Sequence, residues 1–232
     1  MPQIGCRATM NASADGPRVA VICDYSLSYL GGAQTAMLQE ASALAAAGAG
    51  VLLLSPSPDR VWQQVRPPGD IEHVRVPARF TLPGLDLPVV PNTRRLRRRI
   101  ADLLRVRRIE VVHLQSEFGL AAAAAAAAKE LGLPVVHTVH TFFWQAPAVG
   151  QVVIAAGVRR FHSLLTRLPA TTARLSDRPA DSALRNMTLT LARRADLVLS
   201  PSAHQARRLR EAGVGRVAVL PNTVTESRGS RH

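Results

Sequence analysis

The sequence has few aromatic residues and few cysteines. Aromatic side chains make up 4% of the 232 positions, and the two cysteines are Cys6 and Cys23. One lies in a polar stretch near the start and the other in an apolar run, which argues against a disulfide framework and a cysteine metal site. These features predict a protein of the reducing cytoplasm.

Long hydrophobic runs and common catalytic motifs are also missing. No run of about 18 apolar residues without charge occurs, which argues against a transmembrane helix. Residues 1–17 contain no apolar segment flanked by basic residues, so we expect a disordered leader rather than a secretory signal. With no Gly-x-Ser-x-Gly elbow and no cysteine–histidine pair, an unrelated hydrolase is a weak alternative.

Acidic residues are outnumbered by basic ones. The chain has 29 Lys and Arg against 16 Asp and Glu, a net charge of +13. Such a charge favours nucleic acid, phosphorylated substrates or an anionic membrane as partners. We do not expect nucleic acid, because aromatic residues are not interleaved with the basic ones and no helix-turn-helix or RNA-binding motif occurs.

The basic charge is concentrated in one predicted helix. Leu96, Ile100, Leu103 and Leu104 form an apolar stripe on it, and arginines fill the other positions. One interpretation is a helix that covers a sheet and has a solvated basic back. The other is a patch that docks on the inner, cytoplasmic face of an anionic membrane or binds a phosphorylated acceptor. The residues of this patch are Arg94, Arg95, Arg97, Arg98, Arg99 and Arg105.

Apolar runs alternate with helical patterns through most of the chain. Several runs are continuous, such as 51–54 and 197–199, which is typical of strands buried on both faces. We therefore predict one α/β domain over residues 18–224, Rossmann-like and doubly wound with a mainly parallel sheet, and ligands at the carboxyl ends of the strands. The predicted strands are 18–23, 50–55, 71–76, 109–114, 135–140, 196–200 and 216–220. The predicted helices are 33–47, 93–107, 118–131, a helix of about 15 residues near 152–168, 181–194 and 202–212.

Two proline-rich segments, 56–70 and 77–92, are predicted loops. The alanine run 121–128 is predicted to be helical, since alanine is the best helix former. Residues 225–232 form a polar tail.

The first strand leads into a helix through Gly31 and Gly32. This arrangement places bare backbone N–H groups at a helix N-terminus, where a phosphate or another anion could bind. Two adjacent glycines are also common in plain tight turns, so both interpretations stay open.

Polar residues at strand ends are the other candidates. His140 and Thr141 follow one predicted strand, at the edge where a ligand would lie. His113 and His137 lie within strands and are predicted to be buried and hydrogen-bonded, and Ser202 could be only a helix N-cap.

Several of these stretches together resemble the family 4 glycosyltransferases, which have the GT-B fold. Residues 31–34 resemble a Gly-Gly-Ala-Glu loop, 111–120 and 134–141 the acceptor-side half, and 195–202 with 213–224 the end of that domain and its hinge. The likeness is greatest to lipid-glycosylating members, such as diacylglycerol glucosyltransferases and phosphatidylinositol mannosyltransferases.

The resemblance implies retaining transfer of a hexosyl group from a nucleotide-sugar donor to a lipid or other polar acceptor, with no cofactor and no metal. It implies that His140 contacts the transferred sugar as the catalytic residue. The residues it places around substrate or the donor phosphate are Gly31, Gly32, Gln34, Glu117, Thr141 and Ser202.

The sequence departs from the family pattern in three places and lacks a donor half. Gln34 replaces the usual Glu, Gln115 stands where a second histidine is common, and Asn222-Thr223 replaces Asn-Gly. The paired glutamates of the nucleotide-binding domain do not occur. We therefore expect an N-terminal fragment with little or no activity alone. The alternative is a non-catalytic module that binds an acceptor or a partner, together with a donor domain supplied in trans or at an anionic membrane.

Overall fold

A computed structural model describes residues 16–27, 31–57, 71–82 and 87–222. The strands are β1 (Arg18–Ile22), β2 (Gly50–Ser57), β3 (Glu72–Pro77), β4 (Thr81–Leu82), β5 (Leu87–Pro88), β6 (Val111–Leu114), β7 (Val135–Thr138), β8 (Leu197–Ser200) and β9 (Val217–Val219). Seven of them form a central parallel sheet in the order β3-β2-β1-β6-β7-β8-β9. The two short strands β4 and β5 pair antiparallel beside it.

Helices cover both faces of this sheet. Met37 of the first helix packs with Val21 and Leu53 on one face. On the other face, Ile100 and the alanine helix pack with Ala20 and its neighbours. The helices are α1 (Gly32–Ala46), α2 (Arg94–Val106), α3 (Gly119–Glu130), α4 (Gln151–Thr166), α5 (Pro179–Ala192) and α6 (Ala203–Glu211).

The strand order reverses between β1 and β6. After β1 the chain adds β2 and β3 on one side, and it then returns to add β6 to β9 on the other. The carboxyl ends of β1 and β6 are therefore the switch point at which doubly wound sheets bind ligands. Glu40 of α1 and Gln115 after β6 meet there.

The structure confirms the predicted α/β class, the parallel sheet and all six helices. The prediction of a loop over 77–92 was wrong in part, because β4 and β5 lie within it. Proline suggested a loop, but Pro88 lies in a two-stranded ladder, where its missing N–H is tolerated. Strand β2 also extends to Ser57, into the segment predicted as a loop. Residues 58–70 of that segment, residues 1–15 of the predicted leader and the predicted tail 225–232 lie outside the described residues.

Among the described residues, no helix is both long and apolar enough to cross a bilayer.

Candidate functional site

A network of five polar side chains lies at the switch point. Glu40 extends from α1, His113 lies on β6, and Gln115 follows that strand. Thr138 ends β7, and His140 follows it two residues later. Three secondary-structure elements therefore bring their polar groups to one edge of the sheet.

Gln115 connects the network. Its Nε2 donates to Oε2 of Glu40 at 2.9 Å, and its Oε1 lies 2.7 Å from Nε2 of His140. Nδ1 of His113 lies 3.3 Å from Oε1 of Glu40, and Nε2 of His113 lies 2.8 Å from Oγ1 of Thr138. Each side chain is thus oriented by at least one other.

Burial lowers the pKa of both histidines in this network and so favours their neutral forms. Burial lowers the pKa of His113 to about 4. Burial also lowers the pKa of His140, although the carboxylate of Glu40 acts in the opposite direction. Because Oε1 of Gln115 only accepts, Nε2 of His140 carries the proton and Nδ1 is its acceptor atom. The described residues donate no hydrogen bond to that Nδ1.

The N-terminus of α1 lies beyond this network. Gly31 precedes the helix in extended backbone, and no side chain of the described residues caps it. The first turn has no acidic residue, and a Cβ on Gly32 would meet nothing within 4 Å. Glu40 is eight residues further along, so the first N–H groups lie about 12 Å past it along the helix axis.

The N-terminus of α3 differs, because the buried Asp24 caps it. Oδ1 of Asp24 accepts from the N–H of Leu120 at 2.7 Å, and Oδ2 accepts from Ser116 Oγ at 2.7 Å. The backbone N–H groups of Phe118 and Ala121 also donate to Oδ2, each at 3.2 Å. Burial raises the pKa of Asp24, while these hydrogen bonds lower it.

Glu117 lies inside the domain rather than on an open wall. Its carboxylate accepts from Oγ1 of Thr188 at 3.2 Å, and its carbonyl oxygen lies 2.8 Å from Nε2 of His162. Burial raises the pKa of Glu117 to about 7. These contacts join the loop before α3 to α4 and α5.

The other candidates are in mixed environments. Thr141 is exposed beside His140. Gln34 is buried, and its amide donates to the carbonyl of Ser26 at 3.4 Å. Ser202 is the N-cap of α6 and accepts from the N–H of Gln205. Their roles at substrate stay predictions.

Most of the arginines in the α2 patch are exposed, as expected for a solvated basic face. Arg97 is the exception, since it is half-buried and its Nε has no hydrogen-bond partner among the described residues. Arg105 pairs with Asp102 on the same helix at 3.0 Å.

His137 and Cys23 are buried, and neither is suited to act at the site. His137 is buried as predicted, but the prediction that it is hydrogen-bonded was wrong, because neither ring nitrogen has a partner in the part of the chain that the structure describes. Burial lowers its pKa to about 3, so it stays neutral. Burial raises the pKa of the Cys23 thiol to about 12, which excludes a thiolate nucleophile at neutral pH.

A cavity of about 770 Å³ lies at the opposite edge of the sheet, between α3 and α5. Lys129, Arg193 and Arg194 line it near the C-termini of these helices, where cations offset the helix dipole. The described residues contain no group of three or more His, Cys, Asp or Glu suited to a metal ion.

Sequence reasoning missed Asp24, Glu40 and Thr138. The order of strands was the missing information, because Asp24 and Leu120 lie 96 positions apart in the chain. The acidic Asp24 directly after the first strand was a usable signal, since the end of that strand lies at the switch point.

Comparison with protein families gives one match. The family model described as Glycosyltransferase Family 4 matches residues 30–228. A search of curated proteins finds no significant match.

Three solved structures illustrate the similarity in fold. A putative UDP-N-acetylglucosamine 2-epimerase from Listeria monocytogenes is 15% identical, with a TM-score of 0.48, over 86% of this chain and 44% of that one. A sucrose-phosphate synthase from Thermosynechococcus elongatus is 13% identical, with a TM-score of 0.46, over 89% and 90%. The MurG protein of Acinetobacter baumannii is 14% identical, with a TM-score of 0.38, over 90% and 69%. The chain thus spans less than half the length of the epimerase.

Proposed function

The chain belongs to glycosyltransferase family 4, and we propose that it is the acceptor-side half of a retaining hexosyltransferase. The donor would be a nucleotide sugar, and the acceptor a lipid or another polar molecule. One observation carries the proposal. An oriented His140, whose pKa is lowered by burial, and a helix N-terminus that no side chain of the described residues caps both lie at the carboxyl edge of the sheet.

His140 would bind the transferred sugar. Gln115 fixes the ring and occupies Nε2, so Nδ1 is left to accept a hydrogen bond from a sugar hydroxyl. A neutral imidazole is suited to this contact, because a charged one would have no acceptor atom. Glu40 supports the contact indirectly, since it holds the amide of Gln115.

The N-terminus of α1 would bind the donor phosphate. Backbone N–H groups at Gly31 and Gly32 would donate to its negative charge, as the free N–H groups of a helix start do in other phosphate sites. Charge that develops on the leaving diphosphate would be stabilised there by a preorganised dipole. Gln34, buried in the first turn, would act by holding this turn rather than through charge.

The acceptor would enter next to Thr141, which is exposed beside His140. Glu117 and Ser202 would shape the wall behind it, and the basic residues of α2 would favour an anionic membrane. We propose no metal and no cofactor.

The test is a transfer assay with radiolabelled nucleotide sugars and lipid acceptors. It compares this chain alone with the chain mixed with a nucleotide-binding domain from a family 4 enzyme. We expect transfer only in the mixture, with retention at the anomeric carbon. The variant His140→Ala should abolish it, whereas the control His73→Ala, on β3, should not.

Three results would overturn parts of this proposal. Robust turnover by the chain alone would contradict its inactivity. Inverted product would contradict the retaining mechanism, and full activity of His140→Ala would remove that residue from the site.

The second candidate function is a non-catalytic module that works with a donor domain on another chain. The apolar residues Val219 and Leu220 at the edge of the sheet favour it, because both are exposed. Binding of an acceptor with no transfer in the mixture would support this candidate.

A further inference from the structure

Helix α4 exposes large apolar side chains on its outer side. Val152, Val153 and Leu164 are 73%, 77% and 64% exposed, and Val149 just before the helix is 85% exposed. Soluble proteins seldom expose so many branched apolar residues on one element, and such patches usually mark an interaction surface.

The exposed residues share one side of the helix. At 3.6 residues per turn, positions 152, 153, 156, 157, 160 and 164 fall within a sector of about 140°. All six are exposed, whereas Ala155 and Leu165 on the other side are buried. Ala155 packs against Ala180 and Ala183 of α5. We call the outer side the α4 apolar face, formed by Val149, Val152, Val153, Ala156, Gly157 and Leu164.

The chain segment that contains this face carries charge of one sign. Residues 131–176 contain no Asp and no Glu. Arg160 lies within the face, and Arg167 follows at the C-cap of the helix, both exposed. Long arginine side chains can bury their stems among lipid chains and keep the guanidinium in the headgroup layer.

Polar contacts fix α4 on the domain so that this face points outward. Nε2 of His162 lies 2.8 Å from the carbonyl of Glu117, and the N–H of Asn92 donates to the carbonyl of Leu165 at 2.9 Å. Nδ2 of Asn92 donates to the carbonyl of Thr166 at 2.6 Å. The helix is therefore a fixed part of the domain.

We propose that the α4 apolar face inserts into the surface of an anionic lipid bilayer. A helix with apolar residues, arginines and no acid on its outer side lies in the plane of such an interface. The arginines of α2 would attract the same membrane, but the exposed large apolar residue of that helix is Val106 at its end. On this view α2 contributes attraction and α4 contributes insertion.

Membrane binding would bring the domain to the lipid acceptor proposed above. Only this biological role of the α4 apolar face rests on the proposed function. The test contains no sugar donor. Membrane binding can therefore fail while the transferase proposal stands, and the transferase proposal can fail while membrane binding is observed.

The first experiment measures sedimentation of the full chain with vesicles. Vesicles of phosphatidylcholine with phosphatidylglycerol are compared with vesicles of phosphatidylcholine alone. The variant Val152→Ser/Val153→Ser/Leu164→Ser should lower binding to anionic vesicles at least tenfold. The matched control Phe80→Ser/Val106→Ser/Val219→Ser removes three exposed apolar residues elsewhere and should change binding less than twofold. Circular dichroism confirms that both variants are folded.

The second experiment measures insertion directly. In a background of Trp62→Phe and Trp144→Phe, tryptophan placed by Val153→Trp should be quenched by brominated lipids in anionic vesicles, and tryptophan placed by Val106→Trp should be quenched much less. Equal quenching, or equal sedimentation of the two triple variants, would overturn the proposal. Light scattering that shows a dimer lost only in the α4 variant would also overturn it, because the face would then join two copies of the chain.

Discussion

The N-termini of α1 and α3 form a natural comparison. Both helices begin with a glycine at the carboxyl edge of the same sheet, Gly32 in one and Gly119 in the other. At α3 the carboxylate of Asp24 occupies the free N–H groups, and a Cβ on Gly119 would lie 2.0 Å from the carbonyl oxygen of Val90. At α1 the described residues provide neither a side-chain cap for the first turn nor a close neighbour at Gly32.

This difference is the reason we propose that the start of α3 is structural and that the start of α1 binds a ligand. The free N–H groups of a helix need acceptors, and an internal carboxylate supplies them at α3. At α1 no side chain among the described residues supplies such an acceptor, and free N–H groups are what an anion site requires. The same local sequence pattern therefore has two outcomes, and the rest of the fold decides which one occurs.

The largest expected effect is on Asp24→Ala. The change leaves the buried N–H groups at the start of α3 without an acceptor, each at a cost of about 1–3 kcal/mol. We expect a loss of about 4 kcal/mol in the free energy of unfolding, measured by urea titration. A loss below about 1 kcal/mol would mean that α3 does not depend on this cap.

The matched glycine variants sharpen the comparison. We expect Gly119→Ala to destabilise the domain by about 3 kcal/mol, because its methyl group meets backbone that cannot move away easily. Gly32→Ala has open space and should change stability by less than about 1 kcal/mol. Similar losses in the two variants would contradict the contrast.

The pH dependence of Glu117→Gln tests the interior beside α3. Because the folded pKa is raised from 4.5 to about 7, the native carboxyl stays protonated after the unfolded one has ionised. Stability is therefore lost as pH rises through this window. The variant should gain about 2–3 kcal/mol relative to the wild type between pH 5 and pH 8. A pH-independent difference in urea unfolding would contradict the raised pKa.

A smaller effect is expected for Gln115→Leu, which contacts α1 at Glu40 in the third turn of the helix. The change removes the partners of His140 and Glu40, which are only partly buried. We expect a loss of about 1–2 kcal/mol in urea unfolding. The control is Gln205→Leu, outside this network. It removes a buried amide that donates to the carbonyl of Val139 and to Oγ of Ser200, and it should lower the free energy of unfolding at least as much.

The fold was largely predictable and the site was predictable only in part. Continuous apolar runs such as 51–54 indicated buried parallel strands, because the pattern of apolar residues can be read from a few neighbouring positions. The short strands β4 and β5 were not predicted, because the prolines near them indicated a loop and strand pairing depends on a partner elsewhere in the chain. His140 was found because it follows a strand, but Glu40 sits in the third turn of a helix like any surface residue. Its contact with Gln115 spans 75 positions of the chain.

The central claim is that the N-terminus of α1, and not that of α3, binds the phosphates of a nucleotide sugar. The direct measurement is a titration of the ¹⁵N-labelled chain with UDP-glucose and with inorganic pyrophosphate, followed by amide chemical shifts. The account predicts that the amides of Gly31 and Gly32 shift in a saturable way while those of Leu120 and Ala121 stay in place. No shift at the glycine pair, or equal shifts at both helices, would contradict it.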